Sequence, residues 1–156
     1  MVSQQVSHSG ASLVWEKPRG WMEEKGSGMR TVTFFLEHGN SKADCSIIQM
    51  AGKAGGLENN VKRWMRQLGL IVPAEKALRK FIDGQKKITT KGGLKGVLVD
   101  MTTLLSGNIA EKNSGMVSVI ERKDKTIFIK LFGEKKLLIA NKEKFLKLCL
   151  SLKSAD

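Results

Sequence analysis

Hydrophobic positions along this chain change period at residue 57. Before it they come in short alternating or β-rich runs: Ser12–Trp15, Arg30–Leu36 (RTVTFFL) and Ala43–Ala51 (ADCSIIQMA). Runs rich in β-branched and aromatic residues predict strands. The last two flank His38-Gly39-Asn40-Ser41, which is turn chemistry, so they predict an antiparallel hairpin. Lys17-Pro18-Arg19-Gly20 predicts a turn, and the polar stretch Met22–Gly28 predicts a loop or hairpin connection. From residue 57 Leu57, Val61, Trp64, Met65 and Leu68 recur at helical spacing, so Leu57–Leu68 reads as an amphipathic helix. Asn59, Lys62, Arg63 and Arg66 occupy its opposite face, and Gly69 stops it. A glycine-rich loop, Gly52-Lys53-Ala54-Gly55-Gly56, precedes it.

Pro73 permits a second, short helix at Ala74–Lys80. Gln85–Thr90 and Leu94–Met101 read as strands around the Lys91-Gly92-Gly93 turn, and Thr102–Ser114 as a longer loop. Met116–Glu121 and Thr126–Phe132 alternate around Arg122-Lys123-Asp124-Lys125, a hairpin pattern. In the second strand Ile127, Ile129 and Leu131 point one way and Phe128 and Phe132 the other, so both of its faces are expected to be covered. Leu138, Phe145, Leu148, Cys149 and Leu152 mark a C-terminal helix. Strands arranged in hairpins with inserted helices predict an α+β fold: a mostly antiparallel central sheet of about six strands with helices on both faces. Residues 1–11 are expected to be a flexible tail, and 12–153 one folded unit.

The chain has 156 residues, with 27 Lys+Arg against 15 Asp+Glu, a net charge of +12. Lysines spread along the chain fit a solvated surface; they also fit phosphate contacts to nucleic acid, or an anionic membrane or polysaccharide. Aromatic residues make up only 6% and none interleaves with the basic runs, which disfavours a nucleic-acid stacking platform. No apolar run is long enough for a membrane span. The first 11 residues contain no apolar signal segment; a cytoplasmic protein and an exported one separated from its signal both fit. Cys45 and Cys149 are expected to be buried free thiols. The only histidines are His8 and His38, and no nucleophile elbow, Walker A motif or metal-ligand spacing is present. Glu23 and Glu24 read as a solvated pair, and Asp100 as a turn cap at a strand end. Catalytic, metal and cofactor residues are therefore none, and an enzyme is not expected.

A series of motifs carries a resemblance over about residues 12–153. They are Trp15-x-x-Pro18-x-Gly20-Trp21, Met29-Arg30-x-x-x-Phe34, and Ala54-Gly55-Gly56-x-x-x-Asn60-Val61-x-Arg63-Trp64-x-x-Gln67-Leu68-Gly69-Leu70. Leu98-Val99-Asp100, Ile127-Phe128-Ile129-Lys130-Leu131-x-Gly133, Lys142-x-x-Phe145 and Ser151-Leu152 complete the series. It resembles a family of uncharacterised bacterial proteins, many made with export or lipoprotein signals. That family in turn is similar to the PsbP-like α/β/α sandwiches, which include photosystem extrinsic proteins and Ran-binding proteins. The resemblance implies an accessory or binding module rather than a catalyst, another protein as its partner, and an exported location. Lysine richness, Lys53 in the glycine loop and Met65, where relatives often carry arginine, depart from the pattern.

The candidate binding residues follow from the helix and the loop before it. Asn60, Arg63 and Gln67 are three and four residues apart and form one polar stripe beside Trp64. Arg30 is expected to reach the same region. Lys53 is expected to aid an anion at the glycine loop if the loop is more than a tight turn. The stripe has two readings. Either it fastens the helix, with Arg63 paired to Asp100 or Glu58, or Arg63, held by Asn60, receives a carboxylate or phosphate from a partner.

Overall fold

The strand-forming segments pair as their alternation dictates. A computed structural model describes residues 7–10, 12–104 and 112–155. In chain order the elements are β1 (Ser7–Gly10), β2 (Leu13–Glu16), β3 (Met22–Lys25), β4 (Arg30–His38), β5 (Ser41–Ala51), α1 (Leu57–Gln67), α2 (Glu75–Asp83), β6 (Lys86–Thr89) and β7 (Lys95–Asp100). They continue with β8 (Asn113–Arg122), β9 (Lys125–Glu134), α3 (Lys135–Ala140), α4 (Lys142–Ser151) and β10 (Lys153–Ser154). Seven strands form one sheet in the order β3-β4-β5-β9-β8-β7-β6, and β1, β2 and β10 form a smaller one in the order β1-β2-β10. Every pairing in both sheets is antiparallel.

Two apolar cores lie on the two faces of the large sheet. On one, Phe34, Ile47, Ile129 and Leu131 pack with Leu138 of α3, Phe145 and Leu148 of α4, and Trp15 of the small sheet. On the other, Val61, Trp64 and Met65 of α1 and Leu78 of α2 pack on Val99, Val117 and Phe128. The expected split of β9, with Ile127, Ile129 and Leu131 against Phe128 and Phe132, is the one that divides these cores.

The structure departs from the sequence reading in three places. The sheet has seven strands where about six were expected, and the added one is Met22–Lys25, read from the sequence as a loop or hairpin connection, which pairs as β3. All four of its residues are exposed, so no hydrophobic alternation marks it. Its backbone pairs with β4, Met22 opposite Phe35 and Glu24 opposite Thr33, across a turn in which a Cβ on Gly26 would fall 1.9 Å from the Arg30 carbonyl. The C-terminal helix is two helices. Asn141 sits between them at φ −108° and turns its Nδ2 back to the Leu137 carbonyl (2.9 Å), while its Oδ1 accepts the Trp21 indole N–H (3.2 Å). An asparagine engaged this way competes with the helical ladder and ends it. Finally, Ser7–Gly10, read from the sequence as part of a polar tail, pairs as β1 with β2. The segment around Gly107 and Asn108 read as a loop lies outside the described residues.

Cys45 and Cys149 are both buried and free. Among the described residues no helix is long and apolar enough to cross a membrane.

Candidate functional site

The glycine loop and α1 are joined by Asn60. Gly52, Gly55 and Gly56 have φ of 59°, 91° and 89°, values that an L side chain rarely adopts. Asn60, 1% exposed, donates its Nδ2 to the carbonyls of Ala54 (3.0 Å) and Gly56 (2.7 Å). It therefore ties down the loop and is not a surface ligand. One turn on, Trp64 is fully buried and meets Phe128 edge-on, with ring centroids 5.3 Å apart at 87°.

Cross-strand register gives the geometry beside α1, because residues directly opposite in antiparallel strands share a face. One row runs Met22, Phe35, Asp44, Phe132 across β3, β4, β5 and β9; the next runs Glu24, Thr33, Ser46, Lys130. Met22 is 70% and Phe35 37% exposed, so among the described residues no helix covers this end of the face. Its floor is made of the small hydroxyl residues Thr33 and Ser46, which are buried.

Three cations meet over that floor. Arg30 Nη1 donates to Thr33 Oγ1 at 3.3 Å and lies 3.9 Å from the Asp44 carboxylate. Arg63 projects from α1 with its guanidinium 6.0 Å from the Trp64 ring. Lys130 is half-buried between them, its ammonium 4.7 Å from the Phe132 ring centroid and 6.0 Å from that of Trp64. Burial, and then the nearby guanidinium groups of Arg63 and Arg30, push the Lys130 pKa down, with Asp44 opposing. The ion-pair partners expected for Arg63 are engaged elsewhere. Glu58 pairs with Lys62 (3.6 Å) and Arg79 (3.5 Å), and Asp100 with Lys142 (2.7 Å). Arg63 and Lys130 thus have no carboxylate within ion-pair distance among the described residues.

The candidate residues are therefore partly brought together. Arg30 and Arg63 converge on one cluster, completed by Lys130, which sequence reasoning passed over. Gln67 is exposed further along α1 and makes no hydrogen bond or ion pair to the cluster among the described residues, and Asn60 is a structural tie to the glycine loop at the start of that helix. Lys53 is elsewhere: with Gly56 and Leu57 it lines a separate groove of about 500 Å³ facing Lys87 and Lys95. Among the described residues no group of His, Cys, Asp and Glu could hold a metal. Burial pushes both thiols up, Cys149 to about 12, so neither is an available nucleophile.

Asp100 is the turn cap the sequence suggests. Its Oδ1 accepts from the Thr102 N–H (2.9 Å) and hydroxyl (2.6 Å), and its Oδ2 from Lys142 at 2.7 Å. Burial alone would raise its pKa, but these bonds together hold it below 3.8. A carboxyl depressed on folding adds stability that is present above the unfolded value and lost as pH falls through the folded one. Asp100→Asn is expected to cost about 1–2 kcal/mol at neutral pH. It should also flatten the stability loss below the unfolded value of 3.8, as read by denaturant titrations across acidic pH. Lys130 has the opposite effect. With its folded pKa below the unfolded 10.5, stability rises with pH in the window between them, and the folded chain carries the penalty below it. Lys130→Met should therefore stabilise the protein slightly at neutral pH, and urea midpoints for the two chains would reveal a loss if Lys130 were instead a scaffold.

The architecture is an α+β fold similar to that of PsbP. The solution structure of cyanobacterial PsbP (CyanoP) from Synechocystis sp. PCC 6803 is similar over 99% of this chain and 94% of that one, with a TM-score of 0.55 and 15% sequence identity. At that identity the likeness establishes the fold. No family model matches the chain, and no curated protein does.

Proposed function

We propose that this protein is a non-catalytic binding module whose open sheet face receives an acidic segment of another protein. The observation that carries this reading is the convergence of Arg30, Arg63 and Lys130 on a face where, among the described residues, Asp44 is the one carboxylate within ion-pair distance of any of the three, at 3.9 Å from Arg30, and Glu24 lies in the row that ends on Lys130 without pairing with them. Lys130 is half removed from water without an ion-pair partner among the described residues, an arrangement that a carboxylate laid over Thr33 and Ser46 would relieve. Met22, Phe35 and Phe132 surround the cations, and arginine with methionine and aromatic rings is the composition of interface centres. The PsbP-like fold and the resemblance to exported bacterial families support an accessory role in the cell envelope. Fractionation of cells expressing the complete native gene tests that location.

The surface itself is tested by an Arg63→Ala/Lys130→Met double variant. Titration with a glutamate-rich peptide should move the side-chain NMR signals of Arg30, Arg63 and Lys130 in the wild type. In the double variant affinity should fall by roughly 10²–10⁴-fold, since hydrogen bonds to charged groups contribute about 1.5–3 kcal/mol each and two are removed. Its melting should remain close to wild type. Crosslinking in an envelope extract should then yield a partner lost from this variant and retained by Lys53→Ala. Equal binding by the double variant would refute the site, and a collapse in its stability would return Arg63 to the fastening role.

A further inference from the structure

The other face of the sheet carries a second concentration of positive charge. Between the segment after β2 and helix α4 lies a groove of about 390 Å³ lined by Lys17, Arg19, Lys91, Lys144, Lys147 and a single carboxylate, Glu16. Glu16 is engaged by Lys91 at 3.6 Å. Two of the remaining cations are held in place by backbone: Lys17 Nζ donates to the Trp21 carbonyl (2.6 Å) and Lys144 Nζ to that of Arg19 (2.9 Å). Each ammonium has three donors, so both keep donors free. Because these chains are already ordered, less conformational entropy is lost when an anion arrives.

We propose that this α4 face is the seat of an anionic lipid surface, with the phosphate headgroups received by Lys17, Arg19, Lys144 and Lys147. The lining favours lipid over nucleic acid. It contains no aromatic ring on which a base could stack. The adjoining cavity shares Lys144 and is reached by Lys136 of α3, and α3 exposes Ile139, three residues beyond Lys136, at 54%. An apolar side chain among lysines is the composition of a segment lying at a headgroup boundary. The proposal is independent of the open-face reading, because the two surfaces lie on opposite sides of the sheet. A chain seated through α4 would present Arg30, Arg63 and Lys130 away from the lipid.

Co-sedimentation tests it with vesicles of phosphatidylcholine containing phosphatidylglycerol, and with phosphatidylcholine alone. The wild type should partition onto the anionic vesicles only, and salt should release it. Arg19→Gln/Lys147→Gln should lower the partition coefficient by about 25-fold, roughly five-fold for each charge removed. Neither side chain makes an ion pair or hydrogen bond among the described residues, so thermal melting should be unchanged. Arg30→Gln/Arg63→Gln, on the other face, should bind vesicles nearly as the wild type does. Equal binding to neutral vesicles, an undiminished Arg19→Gln/Lys147→Gln variant, or an equal loss from the Arg30/Arg63 pair would overturn the proposal. Retention of a short DNA duplex through Arg19 and Lys147, at a salt concentration that releases the vesicles, would also overturn it and make the groove a nucleic-acid face.

Discussion

Replacing Trp64 by alanine is expected to cost about 3–5 kcal/mol, the range for deleting a large ring from a packed core. Trp64 is fully buried and lies edge-on to Phe128 at 5.3 Å, within the core that joins α1 and α2 to the sheet. Edge-to-face pairs add roughly 0.5–1.5 kcal/mol beyond area burial. Its indole N–H is buried without a hydrogen-bond partner among the described residues, so Trp64→Phe removes an unsatisfied donor along with part of the ring. The phenylalanine variant should therefore retain much more stability than the alanine one. Guanidinium titration of both variants reads this directly, and a loss below about 1 kcal/mol for alanine would place the ring outside the core. Function should respond as well. The ring is the surface against which Arg63 and Lys130 lie, each 6.0 Å from its centroid. Without it the two cations lose their fixed spacing, and anion affinity should fall even where the chain remains folded.

That coupling shows how far the sequence could be read. The helical spacing of Leu57, Val61, Trp64 and Met65 is dictated by one buried stripe, so α1 and its facing were legible. The hairpins were legible for the same reason, since alternation over several residues leaves no other way to bury one face. What escaped has physical causes. β3 is an exposed edge strand whose pairing is carried by backbone alone. Asn141 breaks the last helix through a bond to Trp21, 120 residues away in sequence, which no local pattern reveals. Lys130 escaped because β9 reads as a strand apolar on both faces. Yet it sits between Phe128 and Phe132 on one face, and a lysine in that position marks where helix cover ends and the open floor begins. Which cations meet there depends on the β4–β5–β9 register, fixed by pairings up to 90 residues apart, such as Asp44 with Phe132. Arg63 was legible from the spacing of the polar stripe on α1, and Arg30 was expected to reach the same region; that Lys130 completes the cluster came only from the fold.

The second large loss is expected from Arg122→Ala, about 2–4 kcal/mol or a melting temperature lower by on the order of 10 °C. Arg122 ends β8 and is 6% exposed. Its Nη1 donates to Gln49 Oε1 at 3.0 Å, and its Nη2 donates to the Ser12 carbonyl (3.2 Å) and the Ser154 hydroxyl (2.9 Å). One guanidinium thus joins β8 and β5 of the large sheet to the residue before β2 and to β10 of the small one. A lysine offers a point charge in place of a planar fork, so Arg122→Lys should rescue only part of the loss. The damage should also be local before it is global. β10 has two residues and, among the described residues, pairs only with β2, so the small sheet holds few bonds of its own. Amide exchange at Lys153 and Ser154 should accelerate in the variant while the β5–β9 pairing stays protected, the pattern of a cooperative unit that opens below the global free energy. Uniform acceleration across both sheets would instead make Arg122 part of the main core. Unchanged exchange at Lys153 and Ser154 would mean that Leu152 and the α4 packing, rather than the guanidinium, hold the C-terminal strand in place.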